Sequence, residues 1–153
     1  MLKVYRITKA KHGRDLSGTG AYIYGGRWNT PAIHMLYTAN SVALATLESL
    51  AHLRRGITAQ KFALVELGLP NQEYPSVEGF MELPPDWTIP PPYAEGTRSV
   101  GKSAWFQEYL AIRVPSVIMQ KDENYLLNPL HPDMQEVEIL SVGDYNFDRR
   151  LLS

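Results

Sequence analysis

Apolar residues recur at helical spacing from Ser41 to Leu53, and one acidic residue, Glu48, stands inside the run. At about 100° per residue, Leu44, Leu47 and Ala51 share a stripe, with Glu48 beside it. The spacing predicts a helix over residues 41–54, with Asn40 or Ser41 as its cap and Gly56 just beyond. Its carboxylate then faces inward or rims a cleft, and a half-buried charge is costly unless paired or hydrogen-bonded. Arg27 is the nearest partner by sequence. The plain alternative is a structural Arg–Glu pair, or a glutamate that reaches solvent.

Period-two alternation predicts strands at residues 3–8, 34–38 and 61–67, and a final strand at 136–140. Residues 114–119 read as a further strand, followed by a turn at 121–124 and an extended stretch over 125–129. Between the first two strands, residues 11–29 are Gly-rich and polar and read as one long loop, a length usually reserved for function. Residues 97–107 suit a helix weakened at Gly101. Prolines cluster from Pro70 to Pro92, which excludes regular helix and central strand. This stretch, extending to about residue 96, reads as a semi-rigid surface excursion, because the residues after it are too few for a second core. The pattern predicts one α+β domain over residues 1–153, with a mixed or antiparallel β core and flanking helices.

Composition narrows the function. With 15 Lys plus Arg against 16 Asp plus Glu, the net charge is −1. The basic surplus that neutralises phosphates in a nucleic-acid binder is missing, whereas a small anionic ligand needs only one or two arginines. Direct nucleic-acid binding is therefore not expected. Cysteine is absent, which removes disulfides, a thiol nucleophile and thiolate metal sites and agrees with a reducing compartment. No stretch approaches the roughly 18 apolar residues of a membrane span, and the first residues lack a basic segment followed by an apolar core. A cytoplasmic protein is expected.

The segment Tyr22-Ile-Tyr-Gly-Gly-Arg-Trp-Asn29 joins flexible backbone, a cation and aromatics. Arg27 can grip a phosphate or carboxylate and Trp28 can stack on a flat ring; alternatively Arg27 is salt-bridged and Trp28 is core. On the first strand, Tyr5 and Ile7 share the face opposite Arg6, which leaves Arg6 toward a cleft or toward solvent. Ser116 interrupts an apolar strand and needs a hydrogen-bond partner, most often backbone. No glycines flank it in nucleophile-elbow form. Asn124 and Asn128 read first as turn formers and second as ligand contacts. His12, His34, His52 and His131 show no metal-binding spacing, so no metal is expected.

Taken in order, Tyr5-Arg6-Ile7, Gly25-Gly26-Arg27-Trp28-Asn29, Leu36-Tyr37-Thr38-Ala39 leading to Leu47-Glu48, Val114-Pro115-Ser116, Asn124-Tyr-Leu-Leu-Asn-Pro-Leu-His-Pro132 and Phe147-Asp-Arg-Arg-Leu151 resemble the RES domain family across nearly the whole chain. The resemblance implies a fold similar to that of the ADP-ribosylating toxins. It also implies the toxin role in a bacterial toxin–antitoxin pair, with an Xre-like helix-turn-helix antitoxin forming a hetero-oligomeric complex. NAD is then substrate rather than cofactor, consumed by hydrolysis or phosphorolysis of the nicotinamide–ribose bond. Glu48 is implied as the catalytic carboxylate, Arg27 and Arg6 as holders of the NAD phosphates, and Tyr37 as packing beside the nicotinamide ribose. Ser116 and Asn128 complete the implied pocket. Transfer of ADP-ribose to a cellular protein is the alternative. A non-enzymatic nucleotide-binding module and a ribonuclease toxin are others, the last disfavoured by the missing basic surplus and paired histidines.

Overall fold

The computed structural model describes residues 1–52 and 60–152. Strand alternation is realised in β1 (Leu2–Lys9), β2 (Leu36–Ala39), β3 (Phe62–Leu69), β4 (Ala111–Pro115), β5 (Glu123–Leu127) and β6 (Glu138–Tyr145). They form one sheet in the order β4-β5-β2-β1-β3-β6, with each neighbouring pair antiparallel. The expected α+β class therefore holds, with an antiparallel rather than a mixed sheet.

Register sorts the side chains between two faces, because successive residues of a strand point to opposite sides. Val4 pairs with Leu67, Leu36 with Leu127 and Ala111 with Leu127. That face buries Val4, Leu36, Val65, Leu67, Ala111 and Leu127, closed over by Tyr74 and Leu110. The opposite face carries Tyr5 across from Ala39, Ala39 across from Asn124, and Tyr37 across from Leu126. On it, Leu126, Ile112 and Val114 pack with Trp28, Met35, Val77 and Phe106. Helix α2 (Val42–His52), which follows β2, lays Leu44 and Ala45 on Ala39, Tyr5 and Ile7 of this same face. Because β2 and β3 flank β1, α2 carries the chain across β1 between them.

Several boundaries differ from the sequence expectation. The loop over 11–29 contains helix α1 (Thr19–Tyr24), which Gly20 and two tyrosines disguise; it is bracketed by Gly18 and Gly25, both at positive φ. Helix α2 spans Val42–His52, with Ser41 accepting from the Leu44 amide through its hydroxyl. The expected last turn at Leu53 and Arg54 and the stop at Gly56 lie outside the described residues. The expected stripe of Leu44, Leu47 and Ala51 is also displaced: Leu44, Ala45 and Thr46 are buried, and Ala51 is exposed. The helix leans on its first turns, where the sheet lies.

Residues 97–107 are not one helix. They divide into α3 (Glu95–Arg98), a 3-10 turn (Ser99–Lys102) and α4 (Ala104–Gln107). Ser103 is extended, and its hydroxyl accepts from the Phe106 amide as the N-cap of α4. At Gly101 a Cβ would lie 3.0 Å from both Asn29 Cβ and Met35 Cε, so close packing selects the glycine that breaks the helix. Strand β4 ends at Pro115, one residue before Ser116, so the strand expected at 114–119 is displaced toward the N-terminus.

The Pro-rich stretch forms no strand and only a short 3-10 turn (Val77–Gly79), as proline demands. It runs largely along the surface but is anchored inward. Val77 is fully buried, and Met81, Leu83 and Trp87 pack against the Trp28 core.

Thr46 ties α2 to the far edge of the sheet: its hydroxyl donates to the Val42 carbonyl and pairs with the Tyr145 hydroxyl of β6. Tyr145→Phe is expected to cost about 1 kcal/mol, a fall in Tm of roughly 3 °C for a chain of this size. Thermal unfolding followed by circular dichroism checks it; an unchanged Tm would show that this link carries no stability.

Candidate active site

Between α1, α2 and the Tyr5 face of the sheet lies a cleft of about 750 Å³. That volume falls within the roughly 300–1,000 Å³ of small-molecule sites. One wall is the turn after α1, residues Gly25 to Trp28, and the other is the face of α2 that carries Glu48 and His52. Tyr37, Asn124 and Leu126 come from the strands beneath, and Tyr93 from the end of the Pro-rich segment.

The turn is built around a buried amide. Asn29 is fully buried; its Nδ2 donates to the carbonyls of Ala21 at 2.9 Å, Thr30 at 3.0 Å and Ile33 at 3.3 Å. Its Oδ1 accepts from the Tyr37 hydroxyl at 2.7 Å, and that hydroxyl accepts from the Trp28 amide at 3.0 Å. A Cβ at Gly26 would stand 2.6 Å from the Tyr37 hydroxyl, so the second glycine makes room for this contact. Burial pushes the Tyr37 phenol far above its ordinary value, the Trp28 amide offsetting part of the shift. With its hydroxyl occupied and its proton held, Tyr37 offers the cleft a ring, not an acid or base.

Glu48 is half-buried, and its partner is not Arg27. Its Oε1 accepts from Ser116 Oγ at 2.6 Å and from Asn124 Nδ2 at 2.9 Å. Ser116, fully buried, is itself oriented: its Oγ accepts from the amides of Ile118 at 3.2 Å and Met119 at 3.1 Å, which turns its proton toward the carboxylate. Backbone and side-chain partners are thus both present at this hydroxyl. Among the described residues Oε2 of Glu48 takes no hydrogen bond, so the carboxylate is held by one oxygen and offers the other.

Arg27 Nη1 donates to the carbonyls of Trp87 and Ile89, both at 2.8 Å, and the guanidinium lies 4.5 Å from the centroid of the Tyr93 ring. Burial lowers its pKa, while Tyr93, Glu48 and Tyr37 act in the opposite sense. It remains a cation. Trp28 takes the core alternative, with its ring 6.2 Å from that of Trp87.

Arg6 also lines the cleft, although the pleat sets it opposite Tyr5 and Ile7; β2 meets β1 only at Tyr5, and β1 runs on beyond. Its Nη1 donates to the Asp15 carbonyl at 2.8 Å. Burial lowers its pKa and the Asp15 charge offsets part of this.

Asn128 is not brought to this cleft. It is buried beyond the end of β5, with its Oδ1 accepting from the Leu130 amide, so it is the turn former of the first reading. Its place as a polar contact is taken by Asn124, whose parity with Leu126 on β5 was the available signal. A ligand contact was the second reading of Asn124; Asn29 and Tyr93 were missed, the first hidden in a turn motif and the second in a proline cluster. Among the described residues no His, Asp and Glu cluster is arranged to hold a metal ion, and no helix is long and apolar enough to cross a membrane.

Fold and site together define a class: a one-sheet α+β protein with a clamped carboxylate and two arginines in a single cleft. The RES domain model matches residues 3–148, and the chain belongs to that family. It is 36% identical over 140 residues to the "Prs ADP-ribosylating toxin" of Sphingobium sp., covering 90% of this chain and 87% of that protein. It is 34% identical over 153 residues to "Toxin Res" of Photorhabdus laumondii, covering 97% and 96%. The crystal structure of the M. tuberculosis MbcT-MbcA toxin-antitoxin complex contains a chain of the same fold, with a TM-score of 0.69 at 21% identity over 94% of this chain and 84% of that one.

Tyr37→Phe leaves the Trp28 amide and Asn29 Oδ1 without their partner, an expected cost of about 1–3 kcal/mol in urea unfolding. The substitution also alters the alkaline limb. Above the ordinary phenol value of 10.0 the unfolded chain loses the proton that folded Tyr37 keeps, so stability falls as pH rises. Tyr74, pushed up to about 12, contributes in the same sense. The fall in stability between roughly pH 9 and 11 is therefore expected to become shallower, not to vanish, in Tyr37→Phe; identical slopes would refute the assignment.

Proposed function

We propose that this protein is the toxin of a bacterial toxin–antitoxin pair and cleaves the nicotinamide–ribose bond of NAD. The observation that carries the reading is the Glu48 carboxylate, held at Oε1 by Ser116 and Asn124 in a cleft that also contains Arg27 and Arg6. Its toxin role is supported by the names of the relatives and by the antitoxin-bound structural neighbour.

Cleaving the bond returns an electron pair to the pyridinium nitrogen, so nicotinamide leaves neutral and positive charge develops on the ribose. Glycoside cleavage in general passes through such an oxocarbenium-like state, which a fixed carboxylate stabilises. No general acid is required for the leaving group, so one carboxylate suffices where ordinary glycosidases use two. The two arginines are cations suited to the pyrophosphate, whose binding orients the dinucleotide. Water as acceptor yields ADP-ribose, and inorganic phosphate yields its phosphate ester.

A second reading has its own support, since one relative is named an ADP-ribosylating toxin. In that reading the acceptor is a protein side chain, and the same cleft performs the cleavage.

Glu48→Gln preserves the acceptor for Ser116 and Asn124 while removing the charge. Nicotinamide release from NAD is expected to fall roughly a hundredfold or more in this variant, with affinity for NAD changed far less. Near-normal release would remove Glu48 from the chemistry. Dependence of wild-type release on added phosphate separates phosphorolysis from hydrolysis, and label from NAD that enters protein identifies transfer. Expression of the wild-type protein without an antitoxin is expected to arrest bacterial growth, and expression of Glu48→Gln is not.

A further inference from the structure

The Pro-rich segment, which the sequence presents as a semi-rigid surface excursion, contributes Tyr93 to the cleft. Residues 84–93 run Pro-Pro-Asp-Trp-Thr-Ile-Pro-Pro-Pro-Tyr. Each proline contributes a carbonyl and no N–H, so the segment is rich in acceptors, poor in donors and unable to enter a sheet ladder. Some of its carbonyls need donors from elsewhere. Arg27 supplies them: both carbonyl bonds come from Nη1, to Trp87 and Ile89 at 2.8 Å each. Trp87 in turn packs with Trp28, the residue next to Arg27, so the two segments are joined through side chain and backbone alike.

A guanidinium has five N–H donors in a planar fork. Two carbonyls engage Nη1 and the Tyr93 ring covers one face at 4.5 Å. Among the described residues Nη2 and Nε make no hydrogen bond, and neither is among the buried atoms without partners. The edge of the fork that remains is open. Lysine has no equivalent of this geometry, because its ammonium is a point charge without a plane to stack.

We propose that Tyr93 is a positioning residue for anion binding: with the Trp87 and Ile89 carbonyls it fixes the plane of Arg27, so that the Nε–Nη2 edge meets the pyrophosphate of a dinucleotide. The inference rests on the substrate class given under Proposed function. Tyr93 acts through its ring, and its hydroxyl is not required. The segment's other contacts, through Leu83 and Trp87, keep it in place when the ring is removed.

The test compares wild type, Tyr93→Phe, Tyr93→Leu and Arg27→Ala in two measurements, KM and kcat for NAD and the calorimetric affinity for ADP-ribose, which carries the pyrophosphate but undergoes no cleavage. Tyr93→Leu is expected to raise KM and to weaken ADP-ribose binding roughly three- to thirtyfold, the range of a cation–π contact, with kcat within about twofold. Tyr93→Phe is expected to restore both. In the Arg27→Ala background the leucine substitution is expected to have no further effect on ADP-ribose binding, since coupled residues are non-additive. Equal ADP-ribose affinities for wild type and Tyr93→Leu overturn the proposal, as does an undiminished effect without Arg27. Because ADP-ribose binding needs no turnover, wild-type protein that binds it but releases no nicotinamide overturns the cleavage reading alone.

Discussion

The structure depends on the buried side-chain amide of Asn29. Fully removed from water, that amide would be destabilising if any of its groups were left unpaired. It is instead engaged by three carbonyls, from α1 and the loop leading to β2, and by the hydroxyl of Tyr37 on β2. A helix end, a turn and a strand are thereby locked at one point. Arg27 sits two residues away, and the Trp28 amide that follows it is bound to the same hydroxyl. The direction in which the arginine leaves the backbone is therefore set by a hydrogen-bond network that need not touch any ligand.

Glu48 illustrates the same economy with the opposite charge. A half-buried carboxylate can be stabilised by a cation or by neutral donors, and this fold uses donors: a hydroxyl just past β4 and an amide on β5. Neutral donors orient the carboxylate without cancelling its charge, whereas a salt bridge to Arg27 would have occupied both groups. Arg27 and Glu48 remain separately available, and the cleft contains both signs of charge. Carbonyls of the Pro-rich segment keep Arg27 in place at no electrostatic expense to Glu48.

How legible each part was follows from whether its signal is local. β1 and β3 alternate under the constraint of two packed faces, and their patterns identified them to within two residues. α1 was hidden because it is short, bracketed by glycines at positive φ and tied in through the bond from the Asn29 amide to the Ala21 carbonyl, with no signal from propensity. The single helix expected at residues 97–107 is interrupted at Gly101, where Asn29 and Met35, residues some 70 positions distant, leave a tight fit for a Cβ, and at Ser103, which caps α4. Arg6, Arg27, Tyr37, Glu48 and Ser116 were singled out as site residues, by pattern or by family resemblance; Ser116 is buried and bonded to Glu48, and the other four line one cleft. Asn128 is left outside it.

From its sequence alone this chain determined an α+β domain, the approximate places of its strands, a helix bearing a conspicuous acid and membership of the RES domain family, because periodicity and short motifs are properties of neighbouring residues. Only the tertiary structure decided which partners those residues take. The Ser116–Glu48 bond spans 68 positions, and those of Arg27 span 60 and 62. Contacts at such separation arise from sheet order, strand register and the path of a proline-rich connection, and none of these is encoded in the spacing of the residues that meet.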